Sequence, residues 1–162
     1  MTQLNKKQLE RYLRRSYSAV DGLWFVKVEE KLGFEAALDM DREVWKVMAK
    51  IQSRALKSIL ALPPEETPDL RKFFSAKLKL DGFSFGTRAL KCGGFTVTVR
   101  TCPWHDTLVK AGRQAYAERI GAAICGSEYA VWTQEFGGDH VLELKSRICK
   151  GDKICRIDFA KT

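Results

Sequence analysis

The chain has 162 residues, a formal net charge of +8 and 45% hydrophobic side chains. This length fits one ordinary domain, and the apolar content excludes a disordered chain. No apolar run reaches the roughly 20 residues that a membrane span needs, and no apolar segment of a signal peptide follows the basic N-terminus. We therefore expect a cytoplasmic, single-domain protein over residues 1–162 with no membrane partner.

The first 60 residues show the periodicity of three helices. The first has an apolar face at helical spacing, formed by Leu9, Tyr12, Leu13, Ser16 and Val20. A second helix is expected over 22–32 with Asp21 as its N-cap and with Trp24, Val28 and Leu32 on its inner face. The third is expected from about Asp41 to Leu60, with an apolar stripe formed by Val44, Met48, Ile51, Ala55 and Ile59.

Two prolines, Pro63 and Pro64, end the third predicted helix. The segment from Pro63 to Asp69 is the best candidate for a linker. It predicts a boundary between a helical subdomain, 1–62, and an α+β subdomain, 69–162, that carries the cysteine-bearing site.

The second half of the chain shows the alternation of strands. Two hairpins are expected, one joining 83–89 to 95–101 and the other joining 142–148 to 155–159. Helical patterns at 103–110 and at about 117–136 separate them. The sequence therefore predicts an α+β fold in which N-terminal helices pack on a four-stranded antiparallel sheet made of two hairpins.

Five cysteines carry most of the candidate chemistry: Cys92, Cys102, Cys125, Cys149 and Cys155. An odd number in a reducing compartment argues against a disulfide framework. Buried core thiols, metal ligands and reactive thiols remain as interpretations.

Cys102 stands directly before Pro103, a residue favoured at the first position of a helix. Cys102 is therefore expected at the N-cap, where the free amides and the helix dipole would lower the pKa of its thiol. Such a thiol suits a metal ligand or a catalytic nucleophile. His105, in the first turn, could join either role.

The other cysteines are expected to point toward the same region. Cys125 lies on the predicted inner face of a helix, Cys155 on the inner face of a strand, and Cys149 across a tight turn from Cys155. We predict that Cys102, Cys125, Cys149 and Cys155 converge and bind a metal, with zinc as the leading choice. Because none of them forms a C-x-x-C pair, inert core cysteines are the alternative.

A second candidate set consists of large or charged side chains on predicted helices. We expect a small apolar or aromatic ligand to contact some of Trp24, Glu29, Trp45, Trp104, Arg113, Tyr129 and Trp132. Glu29, if buried, would need a partner such as Arg113 or the ligand; the alternative is a solvated acid beside Glu30.

The densest basic patch consists of Lys6, Lys7, Arg11, Arg14 and Arg15. A phosphate or nucleic-acid contact is one interpretation of this charge. No aromatic residue is interleaved on this face and no DNA-binding motif follows it, so a solvated helix face is favoured. Nucleic acid is not expected as a partner, and the oligomeric state, including a homodimer, is left open.

Several short motifs are distributed over nearly the whole chain: Leu23-Trp24-Phe25, Val28-Glu29, Gly33-Phe34, Val44-Trp45, Cys102-Pro103-Trp104, Gly112-Arg113, Ile124-Cys125 with Glu128-Tyr129, and a final cysteine pair before Asp158-Phe159. Together they resemble a family of bacterial and archaeal cytosolic proteins akin to the L-2-amino-thiazoline-4-carboxylic acid hydrolase-like family.

The C-terminal segment, 149–159, also resembles 4-vinyl-reductase-type sensor domains, which pair a glycine-aspartate turn with a cysteine. The resemblance implies binding of small aromatic ligands or tetrapyrrole precursors beside a zinc site, and it carries over to Cys125 and Cys155. The chain departs from that pattern at Arg147, where a further cysteine would stand, and Cys149 is displaced by two residues. Cys102 could supply the missing ligand.

Three functional classes are consistent with these features. The first is a small-molecule-binding or sensor-like domain with a structural metal, favoured because the cysteines lie among aromatics. The second is a hydrolase of a small heterocyclic or amide substrate that uses Cys102 with His105, or a metal-bound water. The third is a nucleic-acid-binding module, supported by charge alone.

Overall fold

The structure is a computed structural model that describes residues 3–60, 69–91 and 93–162. It divides into two compact units, residues 1–41 and 42–162. The predicted linker begins at Pro63, and all of it before Asp69 lies outside the described residues. The predicted boundary between two subdomains therefore stays a prediction.

The described elements confirm the α+β class, with helices concentrated in the N-terminal half. The helices are α1 (Lys6–Leu32), α2 (Phe34–Leu60), α3 (Leu70–Asp81), α4 (Pro103–Lys110) and α5 (Ala117–Glu135), with single 3-10 turns at Gln114–Tyr116 and Ile148–Lys150. The strands are β1 (Ser84–Ala89), β2 (Gly94–Thr101), β3 (His140–Ser146) and β4 (Cys155–Lys161). None of the helices in the described ranges combines the length and apolarity that crossing a lipid bilayer requires.

One continuous helix, α1, replaces the two helices predicted before Gly33. It begins with a capping box in which the side chains of Asn5 and Gln8 each accept a hydrogen bond from the other residue's amide. The predicted break at Asp21 is wrong because neither Asp21 nor Gly22 blocks a helix; a helical glycine costs only about 1 kcal/mol relative to alanine.

The inner face of α1 also differs from the prediction. Phe25 is its buried side chain, and its ring meets that of Phe34 edge-on at 5.8 Å. Trp24 and Leu32, which were predicted to face inward, are exposed. The helical period was correct, but the buried face is displaced by one residue, about 100° around the helix.

Helix α2 begins at Phe34, seven residues before the predicted start, and its buried face is not the predicted stripe. The buried side chains are Ala37, Trp45, Ala49, Ser53 and Leu56. Val44, Ile51 and Ile59 of the predicted stripe are exposed. Apolar residues occupy two faces of this helix, and periodicity alone does not distinguish the inner face from the outer one.

The four strands form one antiparallel sheet in the order β1-β2-β4-β3. Both predicted hairpins are present, and the pairing of β2 with β4 joins them. In that pairing Val97 stands opposite Ile157 and Val99 opposite Cys155. The C-terminal end of β2 and the start of β4 therefore meet at the same end of the sheet.

Helix α3 was not predicted, although it has clear sequence signals. Asp69 caps it by accepting a hydrogen bond from the Arg71 amide at 2.8 Å, and Gly82 ends it with a left-handed φ of 88°. Phe73, Phe74 and Leu78 recur at helical spacing and are all fully buried. The neighbouring linker and strand patterns obscured a helix of only 12 residues.

The Phe74 ring joins three elements of the core. It meets Tyr129 of α5 at 5.0 Å, Trp132 of α5 at 5.7 Å and Phe159 of β4 at 5.1 Å, all edge-on. This geometry is the preferred one for aromatic pairs. The core therefore lies between α3, α5 and one face of the sheet, and Ala49 and Leu56 of α2 also contribute to it.

The sheet has little space beside Gly94, and substitution there should be costly. Gly94 has a φ of 81°, and a Cβ atom would lie 2.0 Å from the Phe159 carbonyl oxygen. We expect Gly94→Ala to lower the free energy of unfolding by at least about 1–3 kcal/mol, measured by urea denaturation. Gly126→Ala is the control, because no heavy atom lies within 4 Å of its Cβ position inside α5. It should raise stability by about 0.5–1 kcal/mol. Equal effects of the two substitutions would contradict this description of the sheet.

Candidate cysteine site

Cys102 occupies the predicted position between a strand and a helix. It follows β2 directly and is the N-cap of α4, with Pro103 in the first turn. The side chain makes no capping hydrogen bond of normal geometry. The amides of His105 and Trp104 nevertheless lie close enough to favour its thiolate.

The predicted low pKa of Cys102 is wrong. Burial raises the pKa of its thiol to about 11; the His105 amide lowers it, and the charge at Cys155 raises it further. Loss of water around the thiolate thus outweighs the helix N-terminus. Without a metal, Cys102 is a protonated thiol near neutral pH and a weak nucleophile.

Cys155 is the first residue of β4 and stands opposite Val99 in the sheet. Cys102 lies only three residues beyond Val99, so both cysteines lie at the same end of the β2–β4 pair. The Cys155 sulfur accepts a hydrogen bond from the Ile148 amide at 3.2 Å. This bond fixes the sulfur against the turn that connects β3 to β4.

Cys149 lies in that turn and packs against α5 at a glycine. A Cβ atom on Gly121 would lie only 2.5 Å from the Cys149 sulfur, so the close approach depends on the missing side chain. Cys125 follows Gly121 by four residues, which places it one turn along the same face of α5. Cys149 and Cys125 therefore lie on the same side of that helix.

The pKa values of these four cysteines are affected by burial and by the charges of neighbouring cysteines. Burial is the largest cause of the raised pKa at each one. Charge at Cys155 also raises the pKa of Cys102 and Cys149, and charge at Cys102 and Cys149 raises that of Cys125. The cysteines thus share one region of the fold. Within the described ranges, however, no three His, Cys, Asp or Glu side chains are already grouped as ligands of one metal ion. Cys92 lies outside those ranges.

A buried ion cluster beside the cysteines was not predicted from the sequence. Lys77 of α3 is 2% exposed and lies 2.6 Å from a carboxylate oxygen of Glu128 and 3.1 Å from one of Asp81. Burial acts to lower the pKa of Lys77, but the two carboxylates outweigh it and raise that pKa. Lys77 shares the helical face of Phe73 and Phe74, which is the signal that could have identified it.

The positive charge of Lys77 acts on two of the thiols. It is among the influences that lower the pKa of Cys102 and of Cys125, although burial remains dominant at both. Replacing Lys77 with an uncharged residue would destabilise the fold, because Glu128 would remain buried without its cation. Lys77 therefore supplies a fixed positive charge near the cysteines.

The predicted ligand-contacting residues belong to several elements of the two units. Trp24 of α1 is 64% exposed. Glu29 is partly buried in the last turn of α1. The helical period of this segment is compatible with either face pointing inward, and Phe25 is the residue that is buried.

The remaining five predicted residues fall into three arrangements. Trp45 and Trp104 meet edge-on at 5.2 Å, whereas Tyr129 and Trp132 pack on Phe74 inside the core. The Arg113 guanidinium lies over the Tyr116 ring at 5.0 Å. Tyr129 and Trp132 are buried, at 4% and 0% exposed.

A cavity of about 400 Å³ lies at the other end of the sheet, where β2 begins and β4 ends. None of the residues predicted to contact a ligand lines it. The lining residues are Asp69, Leu70, Arg71, Gly94, Phe95, Phe136, Asp139, His140 and Lys161. They come from four separate parts of the chain, so no local sequence pattern could have identified them together.

The Lys77 cluster should be essential to stability. We expect Lys77→Met to lower the free energy of unfolding by about 3–5 kcal/mol, because Glu128 keeps a buried charge without its partner. Lys145→Met is the matched control, since Lys145 pairs with Glu143 on the exposed side of β3. It should cost at most about 1 kcal/mol. Similar losses for the two variants in urea denaturation would show that the cluster is not buried as described.

Comparison with known proteins gives a family match for the N-terminal half of the chain only. Residues 3–80 match the profile of DUF6125, described as a family of unknown function. No curated protein matches the sequence. The matched region contains α1, α2 and most of α3, including Lys77, and ends before the four cysteines of the site.

Proposed function

We propose that the protein is a small-molecule-binding, sensor-like domain in which Cys102, Cys125, Cys149 and Cys155 bind a zinc ion. One observation carries the proposal: Cys102 and Cys155 lie at the same end of the β2–β4 pair, and Cys149 packs against the face of α5 that carries Cys125. A chance set of inert core thiols has no reason to gather in this way.

The chemistry of the donor set favours zinc. Thiolates are soft ligands, and four of them form the closed tetrahedral shell of a structural zinc site. Zinc binding requires the thiols to lose their protons, which their buried positions otherwise oppose. Lys77 offsets part of the negative charge that four thiolates would bring into this region.

The sulfurs would have to draw together from their present positions, since no three of the described candidate side chains are already grouped as metal ligands. Two features assist this change. Cys149 lies in a single 3-10 turn and not within a strand, and only a glycine, Gly121, packs closely against its sulfur. Cys102 is the N-cap of α4, and no capping hydrogen bond holds its side chain.

The resemblance to 4-vinyl-reductase-type sensor domains supports the same proposal at Cys125 and Cys155. Arg147 replaces a cysteine of that pattern, and Cys102 with Cys149 would complete four donors in this chain. The support for a small aromatic ligand is a cavity of about 400 Å³ lined in part by Phe95 and Phe136, which lies at the opposite end of the sheet from the cysteines. Two bases, Arg71 and Lys161, and two acids, Asp69 and Asp139, also line it, and Lys161 pairs with Asp139 at 3.4 Å.

The hydrolase alternative is weaker. A nucleophilic cysteine needs a thiolate at neutral pH, but burial raises the pKa of Cys102 to about 11. A zinc ion held by four thiolates would leave no open position for a catalytic water. The resemblance to the L-2-amino-thiazoline-4-carboxylic acid hydrolase-like family is therefore a proposal about ancestry and not about the reaction.

Metal analysis of the purified protein tests the proposal. We expect about one zinc ion per chain, as for a single structural site, measured by mass spectrometry of the metal. Single Cys→Ser substitutions at the four positions should each abolish stoichiometric zinc or weaken its binding at least about tenfold in competition with a chelator. Cys92→Ser is the matched control and should keep the metal. Zinc-free protein that binds no added zinc, with all thiols titratable, would refute the metal site.

A second variant tests the packing that positions Cys149. Gly121→Ala should displace the Cys149 sulfur and weaken zinc binding, because its Cβ would lie 2.5 Å from that sulfur. Gly126→Ala, five residues further along α5, should leave zinc affinity unchanged. Unchanged affinity in both variants would remove Cys149 from the ligand set while leaving the other three cysteines to be tested separately.

A further inference from the structure

Helix α2 has apolar side chains on two opposite faces. The inner face buries the apolar side chains of Trp45, Ala49 and Leu56. On the outer face, Val44, Val47 and Ile51 are 45%, 56% and 53% exposed. A helix with apolar side chains on both faces is usually covered on both, because large exposed apolar stripes mark interaction surfaces.

The spacing of the outer face is specific. Val44, Val47 and Ile51 follow one another by three and then four residues, which is the repeat of a helix that pairs with another helix. All three are β-branched, so little side-chain freedom is lost when they pack. The surface therefore favours a helix as its occupant over a flat or irregular partner.

The charges of α2 indicate which helix that is. Residues 34–43 contain four acids and one base, whereas residues 44–60 contain four bases and no acid. Two α2 helices placed side by side in opposite directions would each set an acidic half against a basic half. Such a pairing is complementary to itself, as a two-fold symmetric interface must be.

Two residues that flank the stripe fit this arrangement. Glu43 and Lys50 are nearly equidistant from Val47 in the sequence, so a two-fold axis near Val47 would place Glu43 beside Lys50 of the second copy. Glu43 is exposed and ionised, since the hydrogen bond from Lys46 lowers its pKa. A parallel pairing would not bring these two residues together.

We infer that the outer face of α2, formed by Val44, Val47 and Ile51, is the contact surface of an antiparallel homodimer of this chain. The inference is independent of the proposed zinc site, because none of the four cysteines lies on α2. Dimerisation through this outer face would not disturb the packing of the inner face of α2.

Sedimentation equilibrium on the full chain tests the dimer. The wild type should dimerise, and Val47→Glu with Ile51→Glu should raise the dissociation constant at least about tenfold, equivalent to about 1.4 kcal/mol. Leu80→Glu is the matched control, because Leu80 of α3 is 55% exposed and lies away from the stripe. Circular dichroism should show that the variants fold; if the double glutamate variant does not, Val47→Ser should weaken the dimer in the same direction.

Charge exchange tests the direction of the pairing. Glu43→Lys alone and Lys50→Glu alone should each weaken the dimer, and the double exchange should restore it. A wild type that stays monomeric at all concentrations, or a dimer unaffected by Val47→Glu with Ile51→Glu, would overturn the inference. A dimer that the double exchange fails to restore would overturn the antiparallel arrangement.

Discussion

The packing of the second unit, residues 42–162, depends on the pairing of β2 with β4. It joins two hairpins that are separated by more than 50 residues of chain between Thr101 and Cys155. The paired strands supply Phe95, Val97, Val99, Ile157 and Phe159 to the core, and α3 and α5 pack against that face. The same register sets Cys155 opposite Val99 and therefore close to the residue that follows β2, Cys102. One ladder of main-chain hydrogen bonds thus builds both the core and the candidate site.

Burial determines the chemistry of that site more than local structure does. The start of α4 favours a thiolate at Cys102, yet the loss of water around the sulfur is the larger effect, and the pKa rises to about 11. The same cause dominates at the other three cysteines. Lys77 lies in the same environment but stays charged, because Glu128 and Asp81 supply the compensation that the thiols lack. A metal ion would give the thiolates comparable compensation, which is why a cluster of buried, protonated thiols and a metal-binding role are compatible.

Helices α1 and α2 differ from the core elements in how many of their apolar side chains are exposed. Both α1 and α2 carry more apolar residues than their buried faces use, so each leaves large side chains in solvent. In α2 the surplus follows a regular repeat and lies opposite the buried face, which distinguishes it from scattered surface leucines. An exposed stripe of this kind has a free-energy cost in water that association can relieve.

The sequence by itself determined the class of fold, both hairpins, the position of Cys102 at a helix start and the placement of the other three cysteines on inward-facing or turn positions. These features depend on periodicity, turn residues and proline, all of which act within a few residues. Only the tertiary structure decided which face of α1 and α2 is buried, because Phe25 and Trp24 or Trp45 and Val44 are equally compatible with a helical period. The cap and apolar spacing of α3 are present in the sequence, but only the tertiary structure decided that Lys77 pairs with Glu128 inside the core, and it reversed the expected pKa of Cys102. The reason is that desolvation and compensating charge come from α3, α5 and β4 together, and no single segment of the chain contains that information.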